Sequence, residues 1–230
     1  MHHRREEPGR LQRIFRENGL SLVMFGLFLM FWLGQSLAGL HSYNQDQREH
    51  GQPSVSYSRY LLSGEFIEAT FENWESEFFQ MGAFVLLSSF LKQKGSGESK
   101  RLTGDNEVDR DPRKEVRPDS PGPVHRGGLA LALYSRSLTL ALFGLFLFSF
   151  ALHAIGGRMS FNEEQLQHGQ QAVSLWQYVS SSRFWFESFQ NWQSEFLSVG
   201  ALVVLSIFLR QKGSPESKPV HMPHRSTGEG

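Results

Sequence analysis

Residues 20–100 and 138–218 are one segment written twice, aligned without a gap at an offset of 118 (191 − 73, from Asn191-Trp192 and Asn73-Trp74). About half of the aligned positions are identical, the mark of an internal repeat. Phe25-Gly26-Leu27-Phe28-Leu29 returns as Phe143-Gly144-Leu145-Phe146-Leu147, and Gln93-Lys94-Gly95-Ser96 as Gln211-Lys212-Gly213-Ser214. A chain built this way folds as two copies of one unit, and what the copies share can be separated from what has drifted.

Each copy carries two apolar runs. Leu20–Leu40 is 21 residues without Asp, Glu, Lys or Arg, and Leu138–Ile155 is its 18-residue counterpart. A helix needs about 20 apolar residues to cross a bilayer core. The second run of each copy, Phe78–Leu91 or Phe196–Leu209, is only 14 residues long. Each follows an aromatic, amide-rich stretch, Phe71-Glu72-Asn73-Trp74 or Phe189-Gln190-Asn191-Trp192. Such residues suit the membrane–water boundary, so a helix starting near Phe71 gains two turns and crosses. Arg4, Arg5, Arg10, Arg13 and Arg16 before the first run imitate a signal peptide. The run is longer than the usual ~7–15 residues of a signal core, and its copy lies in mid-chain.

The expected fold is therefore an all-α membrane protein. Four transmembrane helices form two tandem-repeated helical hairpins, parallel and related by a pseudo-two-fold axis along the membrane normal. The divisions are a basic cytoplasmic arm (1–19), a first hairpin (20–94, spans 20–40 and 71–91) and a disordered charged linker (95–128). A second hairpin (129–212, spans 138–155 and 189–209) and a disordered tail (213–230) follow. Lys and Arg set the orientation. The arm, the linker with its flanks (92–136) and the tail with its flank (210–230) hold 19 of them, and the two interspan loops only Arg48, Arg59, Arg158 and Arg183. Both termini are expected in the cytoplasm and both loops outside.

Composition narrows the chemistry. Basic and acidic residues balance at 23 each, which gives no bulk attraction to nucleic acid. No Cys is present, which removes disulfides, thiolate metal sites and cysteine nucleophiles. The mean hydropathy of −0.34 resembles a soluble protein only because apolar blocks alternate with charged segments. No phosphate-binding loop, zinc-protease helix or serine nucleophile elbow occurs. The expectation is a non-enzymatic protein with no cofactor and no metal site.

The strongest candidate for a functional element is the repeated Asn-Trp-x-Ser-Glu-Phe. Positions three and four apart share a helix face, so Asn73, Glu77 and Gln80 form a polar stripe, copied as Asn191, Glu195 and Ser198. Glu72 and Glu75 became Gln190 and Gln193, whereas Glu77 stayed an acid as Glu195. Retained carboxylates at membrane depth often line ion or proton paths. The simpler alternative is that each Glu complements its helix dipole, with Asn as a hydrogen-bonding support. His50 and His168 recur beside Gly51 and Gly169; loop packing at a helix end accounts for them better than a metal site, which needs more donors. Ser56 and Ser174 are placed to cap short outer helices. Gly82-Ala83 and Gly200-Ala201 are small residues suited to close helix approach.

Phe71-Glu72-Asn73-Trp74-Glu75-Ser76-Glu77-Phe78 and Phe90-Leu91-Lys92-Gln93-Lys94-Gly95-Ser96-Gly97-Glu98-Ser99-Lys100, each recurring with two substitutions in the second copy, resemble the motifs of an uncharacterised family of bacterial multi-pass membrane proteins. The likeness covers both repeats. It implies a bacterial inner-membrane location and brings no activity, cofactor or catalytic residue. The leading expectation is a multi-pass protein that works by packing or partner binding in the envelope. Its partners would be the lipid bilayer and a membrane protein or a second copy of itself, not nucleic acid. The alternative is a small channel or transporter using the Asn/Glu stripe.

Overall fold

Long apolar runs without proline fold as helix because a backbone removed from water must satisfy its own hydrogen bonds. The computed structural model describes residues 9–228, and among these the regular structure is helical, without strands. Helix α1 spans Arg10–Glu49, α2 Tyr57–Tyr60, α3 Gly64–Ser88, α4 Gly122–Arg126, α5 Gly128–Tyr134, α6 Ser137–Gln167, α7 Leu175–Val179 and α8 Ser182–Phe208. The chain divides into two compact units, Met1–Phe66 and Ile67–Gly230.

Helices α1, α6 and α8 are long and apolar enough to cross a membrane. At 1.5 Å per residue the 40 residues of α1 reach roughly 60 Å, about twice the hydrocarbon core. Helix α3 is not among the three: Glu65, Glu68, Glu72, Glu75 and Glu77 fill its first four turns. Large apolar side chains on α1, α6 and α8 face outward; Phe25 is 69 %, Phe31 66 %, Leu147 62 % and Leu197 71 % exposed. Leaving each in water would forfeit about 1.5–3 kcal/mol, which an apolar surrounding returns.

Local geometry recurs with the sequence offset. Helices α1 and α6 end at Glu49 and Gln167, α2 and α7 begin at Tyr57 and Leu175, and α3 and α8 at Gly64 and Ser182. After α1 and α6 the chain turns through Gly51 and Gly169, each at φ 70°, a left-handed conformation natural to glycine. The Asn44 side chain brackets Val55, accepting from its N–H at 2.7 Å and donating to its carbonyl at 3.1 Å. Asn162 does the same to Val173 at 2.7 and 3.0 Å. The caps differ. Ser174 forms a capping box with Gln177, whereas Ser56 makes no side-chain cap. The position three residues on is Gln177 in one copy and Arg59, which has no acceptor, in the other.

In the first unit Tyr43, Tyr60 and Phe66 are the buried core, flanked by Trp32, Leu40, Val55 and Leu61. Burial and the Glu65 charge push the Tyr60 phenol up to about 12. In the second unit the core is Ala154, Tyr178 and Phe184, flanked by Phe150, Phe161, Val173 and Val179. Gly157 presses against Tyr178: a Cβ there would fall 2.8 Å from the ring carbon bearing the hydroxyl. Gly82 meets Phe143 closely, while Gly200 has open space around it.

The two Gln-Lys-Gly-Ser segments adopt one loop form. Ser99 Oγ accepts from Gln93 N at 2.8 Å and Ser217 Oγ from Gln211 N at 2.9 Å. Lys218 is buried, and its ammonium donates to the carbonyls of Gly95, His224 and Ser226, with Pro223 O further off at 3.4 Å. Gly228 N donates to Ser96 O at 3.0 Å, so the tail folds back on the first-copy loop. Between them the segment 101–136 holds a 3-10 turn at Glu107–Asp109 and the short helices α4 and α5.

Gly157→Ala should lower the unfolding midpoint in detergent by the equivalent of about 1–3 kcal/mol, the usual penalty of overpacking. Gly144→Ala, on the same helix with nothing within 4 Å of the added methyl, should be neutral or slightly stabilising.

Candidate functional site

Three helices bring charge together in the second unit. On α3, Glu68, Glu72 and Glu75 follow one another at spacings of four and three and share a face. On α8, Arg183, Glu187 and Asn191 are spaced by four. His153 stands in the otherwise apolar run of α6. Gly156, one turn further along α6, has no side chain to hold α3 away; a Cβ there would lie 2.6 Å from Glu68 N. This close approach, typical of small residues between membrane helices, sets the α3 carboxylates beside the imidazole.

The centre is fully buried. His153 Nδ1 lies 2.6 Å from Glu75 Oε2, and both side chains have no exposed surface. A carboxylate only accepts, so Nδ1 carries the proton. The other Glu75 oxygen accepts from Trp192 Nε1 at 3.0 Å. His153 Nε2 makes no hydrogen bond within the protein; its nearest carboxylate oxygen is Glu187 Oε2, at 3.8 Å, beyond hydrogen-bond reach. The ring leans on Phe184 with centroids 4.9 Å apart.

Glu187 is held from two further sides. Tyr178 OH donates to its Oε2 at 2.8 Å and Arg183 Nε to its Oε1 at 3.0 Å. Arg183 also reaches Glu164 at 2.6 Å. The Tyr178 hydroxyl lies 3.3 Å from Glu68 Oε1 as well. Burial pushes this phenol far up, with the Glu68 and Glu187 charges acting the same way, so it remains a donor. Glu72 accepts from the Asn191 amide. Donor atoms of Glu68, His153 and Glu187 all lie within 4.8 Å of one another, a grouping able to hold a metal ion.

The polar stripe expected from the repeat meets this network at one residue. Asn191 joins it through Glu72 and also donates to Glu187 O at 3.3 Å. Asn73 is exposed and donates to Ala69 O of its own helix at 2.7 Å. Glu77 is exposed, Glu195 half-buried, and the two carboxylates are near enough to repel. Gln80 is buried, and Ser198 is exposed with its hydroxyl on Glu195 O at 2.8 Å. The buried polar residues of α3 are Thr70, Glu75, Ser76 and Gln80. His50 and His168 each turn back on their own helix, at 3.0 Å from Asp46 O and 2.8 Å from Glu164 O.

Comparing the copies for sameness overlooks most of this network, because its members sit where the copies differ. Glu75 pairs in sequence with Gln193, His153 with Gln35, Glu187 with Ala69, Arg183 with Glu65 and Glu68 with Phe186. Charge at Glu75 is thus no spare surface feature: it is the buried partner of His153. The one available signal was His153 itself, a titratable residue within an uncharged span.

His153→Ala should destabilise the protein in detergent by about 3–5 kcal/mol, since Glu75 then stays buried with Trp192 as its one remaining donor. Trp192→Phe, which removes one N–H donor and keeps most of the packing, should cost about 1–3 kcal/mol. Thermal unfolding of the two variants in one detergent checks both the size and the order.

No curated protein and no solved structure matches this chain. Residues 11–229 match the family described as Domain of unknown function (DUF6766), and the chain belongs to that family.

Proposed function

We propose that this chain is a four-span protein of the bacterial inner membrane, with both termini cytoplasmic, and that its role is non-enzymatic packing or partner binding within the envelope. The observation carrying this reading is the outward-facing apolar surface of α1, α6 and α8, combined with polar groups gathered inward on α3, α6 and α8. A bilayer favours that inversion of the soluble pattern. Helix α3 is the fourth span in this reading, with Glu68, Glu72 and Glu75 turned to protein partners and its last three turns, Phe78–Ser88, free of charge. The Lys and Arg distribution supports the orientation, and the recurring helix boundaries support two hairpins pointing the same way. The bilayer is the first partner; a second membrane protein or another copy of the chain is the next.

A second reading, a small channel or transporter, draws on the nearness of Glu77 and Glu195. Asn73, Gln80, Asn191 and Ser198 would then line the polar stripe beside them. Wild-type protein in liposomes would pass protons or a small solute, and Glu77→Gln with Glu195→Gln would abolish the flux.

The four-span topology has a direct test, because the chain has no Cys of its own. Ser56→Cys and Ser174→Cys should both react with a membrane-impermeant maleimide from the outer face of intact inner membranes. Labelling from opposite faces would overturn the parallel hairpins.

A further inference from the structure

The buried network holds more acid than base. Glu68, Glu72, Glu75 and Glu187 face His153 and Arg183, and Arg183 is shared with Glu164. Two features of its geometry remain unbalanced. Tyr178 has one hydroxyl hydrogen and two carboxylates within reach; directed at Glu187 at 2.8 Å, it turns its oxygen toward Glu68 Oε1 at 3.3 Å, acceptor against acceptor. His153 is fully buried, yet its Nε2 makes no hydrogen bond and points to a Glu187 oxygen 3.8 Å away. A buried nitrogen with no partner is costly unless its lone pair is used.

We propose that Glu68, His153 and Glu187 form a binding site for one divalent transition-metal ion, with the Tyr178 hydroxyl beside it. The donors lie within 4.8 Å of one another. Ligands about 2.0–2.2 Å from a zinc-like ion stand roughly 3–4 Å apart, so the 3.8 Å gap between His153 Nε2 and Glu187 Oε2 already fits, and a rotation of the Glu68 side chain closes the third side. The neighbours are those a metal-bound imidazole needs. Glu75 accepts the Nδ1 proton at 2.6 Å, which fixes the tautomer with Nε2 free to coordinate, the carboxylate–histidine–metal arrangement. Trp192 holds Glu75 in turn, and Arg183 holds Glu187. An imidazole with two carboxylates selects a transition ion over Mg²⁺ or Ca²⁺, which take oxygen donors. Bound there, the ion ties α3, α6 and α8 together, and this holds whatever the number of spans.

The test uses full-length protein in detergent, with His2, His3, His221 and His224 replaced by Gln so that the two ends contribute no ligands. After chelation and reloading with Zn²⁺, one ion per chain should survive desalting and raise the unfolding temperature. Co²⁺ should give visible absorption from a low-coordinate site. Glu68→Gln and His153→Gln should each weaken Zn²⁺ at least tenfold and Glu75→Gln about 10–100-fold. Adding His50→Gln with His168→Gln should leave affinity unchanged. Should His153→Gln not fold, Glu68→Gln decides, because it leaves the His153–Glu75 contact in place. No retained zinc in the parent protein, or equal retention in the Glu68→Gln protein, overturns the site.

Discussion

The contact between Glu75 and His153 is the constraint around which the second unit is arranged. An isolated carboxylate or imidazolium is expensive to remove from water, and partnered groups are tolerated only where geometry and further hydrogen bonds are good. Here both side chains are wholly enclosed, 2.6 Å apart, and Trp192 supplies a second donor to the carboxylate. Helix α3 could not carry so many acids near apolar neighbours without this partner on α6. Along α3, Glu75, Ser76 and Gln80 are buried and Asn73 and Glu77 are exposed.

That contact depends on backbone approach. Gly156 admits the N-terminal part of α3, and Gly157 admits the Tyr178 ring. Tyr178 then fastens Glu187 and packs on Phe184 and Phe161. Two adjacent glycines thus do different work, one serving a helix pair and the other seating an aromatic ring. The first copy keeps only the second arrangement, with Gly39 against Tyr60 and a phenol pushed up to about 12 by burial and Glu65. The aromatic seat is common to both halves, whereas the charge network belongs to one.

Much of the architecture was legible in the sequence. Uncharged runs locate α1 and α6, and Gly51 and Gly169 mark their ends through the left-handed turn that follows. The amide-rich start of α8 belongs to a helix long enough to cross a membrane. Helix α3 was harder to read, because its acids interrupt the apolar pattern while its partners lie far away in sequence. Residue spacing reports which side chains share a face, not which face meets another helix, so a stripe through Asn73 and Glu77 and a face through Glu75 are equally regular. Retention between copies favoured the stripe. Divergence was the better guide to the buried network, since a single asymmetric site requires its residues in one copy only, as Glu75, His153 and Glu187 show.

The most direct measurement of this account is the energetic coupling between Glu75 and His153, by a double-mutant cycle of Glu75→Gln and His153→Gln in unfolding experiments on the full-length protein. The account predicts a coupling of about 1.5–3 kcal/mol, as for a hydrogen bond to a charged group. Additive losses, with no coupling, would contradict it.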